Sequence, residues 1–234
     1  MEDPGNDEEA GRMGGDGAVR TRAAGIVAEL AAELEEEIAL GLLHPRERLV
    51  EDDLMERFGA KRHVVRSALA TLESRGAVER RANVGAFVRS YTAKEVRDLY
   101  DVRTLLEASC ARSIAVPVPP ERLDPLVECQ QAHDAAVAAQ DRRAAHRANL
   151  AFHAILFGLS DNRTLVEAVR HHAGMTSSIR SLTVADDQYL LRAQAEHWEM
   201  IRALQEGDRD RLVRVCVAHL EPSRDAYLRR LAVG

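Results

Sequence analysis

The sequence predicts a mostly α-helical protein, with an N-terminal winged helix-turn-helix followed by an all-helical antiparallel bundle. Three observations predict it. Residues 49–88 read LVEDDLMERFGAKRHVVRSALATLESRGAVERRANVGAFV, two short helical patterns close together and then a small hairpin carrying Gly85. Beyond Thr92 every segment reads as helix, with caps and prolines at the junctions. Aromatic residues are only 4% while Ala, Leu, Arg and Glu dominate, which favours helix over strand.

Taken in order, residues 1–18 carry six acids and one Arg, net −5, and read as a disordered acidic tail. A helix is predicted from about Thr21 to Leu42, because Ile26, Leu30, Leu34, Ile38 and Leu42 recur at a four-residue step and make one apolar face. Gly41 and Pro45 lie near its end. A short helix over 51–58 presents Leu54, Met55 and Phe58. Gly59 then permits a tight left-handed turn. The next helix, 62–75, places Val65, Leu69 and Leu72 on its buried side and ends at Gly76. Residues 77–80 and 86–89 are strand candidates, joined by a turn at Asn83-Val84-Gly85. Thr92 and Glu95 make a capping box that opens a new helix and marks the domain boundary. The expected units are therefore a tail over 1–18, a DNA-binding domain over 19–92 and a helical domain over 93–234. In the latter, helices are predicted near 93–115, 120–140, 142–159, 163–182, 186–206 and 209–231, a bundle able to enclose a pocket. Asn162 and Asp208 stand at cap positions.

Composition bounds the function classes. Hydrophobic residues at 46% and charged residues at 30% permit a packed core. No apolar run approaches the roughly 20 residues that span a bilayer, and the N-terminus has no apolar signal core, so no membrane partner and a cytoplasmic location are expected. Cys110, Cys129 and Cys216 are widely spaced without a CxxC pair and read as reduced buried thiols. The net charge of −6 argues against nucleic acid, but its distribution reverses that: residues 57–89 hold eight bases and two acids, net +6. Screening beyond roughly 10 Å lets a local basic patch act on an acidic protein.

In a helix-turn-helix the first turn of the second helix meets base edges. Lys61, Arg62, His63 and Arg66 lie there, with Arg62 and Arg66 one turn apart on one face. Arg pairs bidentately with guanine, worth roughly 1–3 kcal/mol of discrimination. The wing, with Arg80, Arg81 and Gly85, would lie beside the backbone or in the minor groove. The plain alternative is a solvated basic face.

A second constellation is histidine-rich. Asn149 and His153 share a helix face, His197 lies mid-helix, and His219 follows 22 residues later on the last helix. Three imidazoles and an oxygen donor suit zinc or nickel. With nine histidines in the chain, scattered core or polar histidines give the same spacing.

The segment GAKRHVVRSALATLESRGAVERRANVGAFV resembles the DNA-binding domain of the GntR family of bacterial transcription regulators. The block from Asp98 to Arg103, with Leu106 and Glu107, resembles the opening of the FCD effector domain of its FadR-like subfamily; the likeness spans roughly residues 20–231. The resemblance implies that the helix carrying Arg62, His63 and Arg66 reads operator DNA, that Gly85 of the wing reaches the minor groove, and that the chain is a homodimer on a pseudo-palindromic operator; Lys61 and Arg81 join the expected contacts by their positions at the helix start and in the wing. It implies a divalent metal held by His153, His197 and His219, with Asn149 where the family usually has Asp. It implies a small organic-acid effector near that metal, with Arg103 as its charged contact and repression as the commoner role. Arg103 also stands four residues before Glu107, the spacing of an ion pair. Arg147, Arg180 and His146 are looser pocket candidates, and His171 and His172 match no ligand position and read as surface. This chain departs from the family with Arg46 for a frequent Gly, and with Lys61, His63 and Val64 for Ser, Thr and Pro.

The reading is a ligand-responsive DNA-binding regulator, not an enzyme. A direct metal sensor is the alternative. A metal-dependent enzyme is disfavoured because His197-Trp198-Glu199 does not reproduce the HExxH pattern that supplies a general base.

Overall fold

The computed structural model describes residues 13–233. Helix α1 (Met13–Ala39) begins earlier than expected and takes in residues 13–18; the remainder of the expected tail lies outside the described residues. Leu30, Leu34 and Ile38 of its predicted stripe are buried, whereas Ile26 and Leu42 at the two ends are exposed. The helix stops at Ala39, so Leu42 lies beyond it.

The next elements are β1 (Arg48–Leu49), α2 (Glu51–Phe58), α3 (Arg62–Ser74), β2 (Val78–Arg81) and β3 (Gly85–Val88). The α2–α3 turn closes on Gly59 in the left-handed conformation, φ 57 and ψ 27. The strands form an antiparallel sheet of order β1-β3-β2, with Val78 opposite Val88 and Arg48 opposite Phe87. Two residues were too short a stretch for β1 to show in the sequence. Val65, Leu69 and Leu72 of α3 are fully buried against Leu34 and Ile38 of α1 and Val78 and Val88 of the sheet. Arg46 adopts φ 72. A left-handed backbone there explains why glycine suits that position in similar chains.

The helical part comprises α4 (Ala93–Ser113), α5 (Pro120–Ala138), α6 (Arg142–Gly158), α7 (Arg163–Gly174), α8 (Ser177–Val184), α9 (Asp187–Glu206), α10 (Arg209–Ala218) and α11 (Glu221–Val233). Thr92 caps α4 through the expected box, with Glu95 returning the hydrogen bond. Asn162 and Asp208 cap α7 and α10. Two expected helices are each broken in two. The stretch 163–182 parts at Met175-Thr176, where the Thr176 hydroxyl donates to the Ala173 carbonyl at 2.7 Å, a local bond that competes with helix continuation. The stretch 209–231 parts at His219-Leu220. Pro222 there lacks an N–H, and its ring excludes the carbonyl four residues back, so it is accommodated only in a first turn.

Phe152, Leu156, Met200 and Leu204 centre the core of this part. A second cluster, including Tyr91, Tyr100, Ile179 and Tyr227, joins α4 to α8 and α11. Three consecutive glutamates of α1 hold arginines of neighbouring elements, and those of Glu36 cross to the helical part. Glu35 accepts from Arg75 at the end of α3, Glu36 from Arg143 and Arg147 of α6, and Glu37 from Arg57 of α2. Cys110 and Cys216 are buried and Cys129 half-buried, all three as free thiols. Among the described residues no helix is long and apolar enough to cross a membrane.

Candidate functional site

The first site is the surface made by α3 and the sheet. Lys61 is the residue before α3, and Arg62, His63 and Arg66 stand exposed on its first turns. Arg62 reaches Asp52 at 2.6 Å and Arg66 reaches Glu51 at 2.8 Å, so the acidic start of α2 already holds both guanidinium groups. Arg81 pairs with Glu79 and lies over the Phe87 ring, its centre 4.5 Å from the ring centroid. Gly85 has φ 129, a backbone open to glycine and strained for other residues. Arg80 donates to the Arg66 carbonyl at 3.1 Å, fixing the hairpin against α3. Of the expected contact residues, Arg66, Arg81 and Gly85 line one open groove, and Lys61, Arg62 and His63 are exposed at the start of α3.

The second site is inside the helical part. His153 on α6, His197 on α9 and His219 at the end of α10 bring their ligand nitrogens within 4.8 Å of one another. The break before Pro222, unforeseen in the sequence, puts His219 at a helix end rather than mid-helix. Each orientation is set by a neighbour. His197 Nδ1 lies 2.7 Å from Gln130 Oε1 and His219 Nδ1 lies 2.7 Å from Glu196 Oε2. Both oxygens accept, so both histidines carry a proton on Nδ1 and turn Nε2 inward. His197 Nε2 is buried with no protein partner. His153 Nε2 lies 3.1 Å from His219 Nε2. Burial and the neighbouring imidazoles push His153 and His197 well below the usual histidine value, so both are neutral at pH 7. Burial of Glu196 favours its protonated form, but its bonds with His219 and Arg192 outweigh this and hold it below the usual carboxylate range. Convergent imidazoles, two of them with the second nitrogen hydrogen-bonded outward to Gln130 and Glu196, are a donor set suited to a divalent metal. Gln130 and Glu196 were missed in the sequence; a carboxylate one residue before His197 was the only signal for the latter.

Asn149, one turn before His153, lines the same small cavity of about 90 Å³. Arg103 also lines it, but the ion pair expected as its alternative is present: its guanidinium meets Glu107 at 2.7 Å, and Thr176 takes a further bond at 3.2 Å. Its charge is therefore compensated. Arg147 is drawn away to Glu36. Arg180 contributes a buried Nε with no hydrogen-bond partner. His146 is buried, and that burial, with Arg180 and Arg147 nearby, pushes its pKa down to about 3. His133 is fully buried with neither nitrogen partnered, its ring centroid 5.3 Å from that of His197. His171 is exposed and His172 partly so, bonding only the Ala168 carbonyl.

Residues 26–88 match the family described as bacterial regulatory proteins, gntR family, and residues 98–222 match the FCD domain. The chain belongs to the GntR family and carries an FCD domain. This GntR protein is 27% identical over 197 residues to the Nta operon transcriptional regulator of Aminobacter aminovorans, covering 79% of this chain and 86% of that one. It is 24% identical over 193 residues to the HTH-type transcriptional repressor RspR of Escherichia coli strain K12, covering 80% and 82%. Its fold matches the crystal structure of a GntR transcriptional regulator from Rhodococcus sp. RHA1 with a TM-score of 0.72 at 22% identity, covering 86% and 97%. A GntR winged helix-turn-helix makes this chain a DNA-binding transcription regulator rather than an enzyme.

Proposed function

We propose that this GntR regulator is a cytoplasmic, homodimeric repressor whose FCD domain holds a divalent metal at His153, His197 and His219, and whose DNA binding is released by a small carboxylate effector. The observation that carries the metal is the buried, unpartnered Nε2 of His197 facing two further imidazoles. A buried acceptor without a partner costs roughly 1–3 kcal/mol, a cost that coordination removes. Asn149 supplies a neutral oxygen at the fourth position. Bound there, zinc or nickel would offer an open coordination position to a carboxylate.

On the DNA side, Arg62 and Arg66 read bases, Lys61 and His63 flank them, and Arg81 and Gly85 place the wing. The relation to a named repressor, RspR, supports the sign of regulation. Exposed Leu105, 72% accessible, and Val102 on α4 support a two-fold interface. Effector release requires different affinities for two arrangements of the DNA-binding domains, and the bonds of Glu36 to Arg143 and Arg147 connect α1 to α6, the helix of His153.

Operator affinity measured in apo, metal-loaded, and metal-plus-carboxylate protein tests this. A fall of at least about tenfold only when metal and carboxylate are both present is expected. A change with metal alone would favour direct metal sensing, and no change in any state would remove the regulatory role of the pocket. Light scattering showing a monomer both free and on DNA would remove the dimer.

A further inference from the structure

His219 meets a carboxylate directly, through Glu196, whereas His197 meets the side-chain amide of Gln130. An amide can present either its oxygen or its nitrogen, so Gln130 by itself does not settle which ring nitrogen of His197 carries the proton. The residue that settles it lies one turn further along α5. Asp134 Oδ1 accepts from Gln130 Nε2 at 2.6 Å and from Gln194 Nε2 at 2.9 Å, and Asp134 Oδ2 accepts from Trp198 Nε1 at 2.9 Å.

These partners leave one consistent arrangement. An indole N–H only donates and a carboxylate only accepts, so Asp134 is an acceptor on both oxygens. Gln130 therefore turns its NH2 to Asp134 and its oxygen to His197. That oxygen accepts, which puts the proton of neutral His197 on Nδ1 and leaves Nε2 as the buried acceptor facing His153 and His219. Gln130 and His197 are fully buried, so an amide turned the other way would set two oxygens against each other beside a desolvated ring. The ring of bonds closes on itself: Gln194 and Trp198 stand on α9 on either side of His197 in the chain, and α5 carries Gln130 and Asp134.

We propose that Asp134 is a positioning residue for the histidine cluster: acting through Gln130, it fixes the Nδ1–H tautomer of His197 and holds Nε2 ready to accept. What Nε2 accepts, a divalent metal, rests on the function proposed above; the tautomer is set without the metal. The interposed amide keeps the negative charge at the half-buried end of this chain of bonds, away from the buried rings.

The test is nitrogen–proton correlation NMR of the histidine side chains in the metal-free full chain at about pH 8, where imidazole is neutral. His197 is assigned by the signal lost in His197→Gln. Wild type should show the Nδ1–H form alone. Asp134→Asn keeps the shape but lets the Gln130 amide turn, so the second tautomer should appear and zinc affinity should fall about tenfold or more. Exchanging acid and amide, Gln130→Glu together with Asp134→Asn, puts an acceptor back on Nδ1 and should restore the single tautomer and most of the zinc affinity. A residue that only packs α5 on α9 would change stability without moving the tautomer. The wild type and the exchange variant decide if Asp134→Asn alone does not fold.

Wild-type His197 protonated on Nε2 would overturn the proposal with no variant needed. So would a mixed tautomer persisting in the exchange variant. An unchanged tautomer with zinc bound equally by wild type and Asp134→Asn would overturn this inference and leave the proposed metal site standing. The expected tautomers in all three proteins, with zinc bound by none of them, would support the role of Asp134 and remove the metal instead.

Discussion

The face of α3 and the interior of the FCD domain both pair arginine with carboxylate, in opposite settings. Arg62 and Arg66 have side chains 51% and 59% exposed, against Asp52 and Glu51. Arg103 and Glu107 are 8% and 4% exposed. Exposed pairs contribute about 0–1 kcal/mol and are readily traded for other partners such as phosphate. Buried pairs are costly to break because the abandoned charge stays desolvated. The difference teaches that the charges on the exposed face of α3 are held provisionally, whereas those beside the histidines are fixed in place by burial.

The largest effect should come from breaking the buried pair. Arg103→Met leaves Glu107 alone in the interior and should cost about 3–5 kcal/mol of unfolding free energy by denaturant titration. A loss under about 1 kcal/mol would show that solvent reaches the pair, and the contrast with the α3 face would collapse.

Next is the orientation of the histidines. Gln130→Ala removes the acceptor of His197 Nδ1 and should weaken zinc binding about 10–100-fold, with Asn149→Asp acting in the opposite direction by adding a charged donor. Competition with a chromogenic chelator measures both. Equal affinity in Gln130→Ala and wild type would mean that packing alone orients the ring.

On the exposed face, Arg62→Ala and Arg66→Ala should each weaken specific operator binding by about 1–3 kcal/mol with little change in folding stability. Fluorescence anisotropy at fixed salt reads the first, and thermal unfolding the second. If both retain wild-type affinity, the pair with α2 is structural and the DNA-reading assignment fails.

The interior should also respond to acid. His146 titrates near pH 6.5 when unfolded and at about 3 when folded. The unfolded chain therefore takes up the proton first as pH falls. The stability this neutral histidine gives is complete above pH 6.5 and declines by about 1.4 kcal/mol per pH unit as pH falls toward 3. Comparing unfolding at pH 7 and pH 5 in wild type and His146→Gln should show the shallower slope in the variant. Identical slopes would place His146 in contact with water.

The smallest effect belongs to the acid that occupies the exposed arginines of α3. Glu51→Gln should tighten operator binding by less than about 1 kcal/mol, since an exposed competitor for Arg66 is removed. Weaker binding would mean that Glu51 positions Arg66 instead of competing for it.

Local signals made much of this protein legible in its sequence. The Gly59 turn, the Thr92–Glu95 box, the buried triplet Val65, Leu69 and Leu72, and the caps at Asn162 and Asp208 each depend on residues within a few positions of one another, and all stand where the spacing put them. The convergence of His153, His197 and His219 was legible only through family resemblance, because helical spacing fixes a face and not the neighbour that face will meet. Tertiary structure alone decided the rest. It broke two helices at Thr176 and before Pro222, brought Thr176 to the Arg103–Glu107 pair that the i,i+4 spacing already offered, and drew Arg147 to Glu36. It set Gln130 and Glu196 behind the histidines and left Arg180 without a partner. The physical reason is range: caps, turns and amphipathic stripes are set by contacts within one or two turns of chain. Compensation of a buried charge depends on which groups 70 or 100 residues away arrive beside it, and that is decided only when the helices pack.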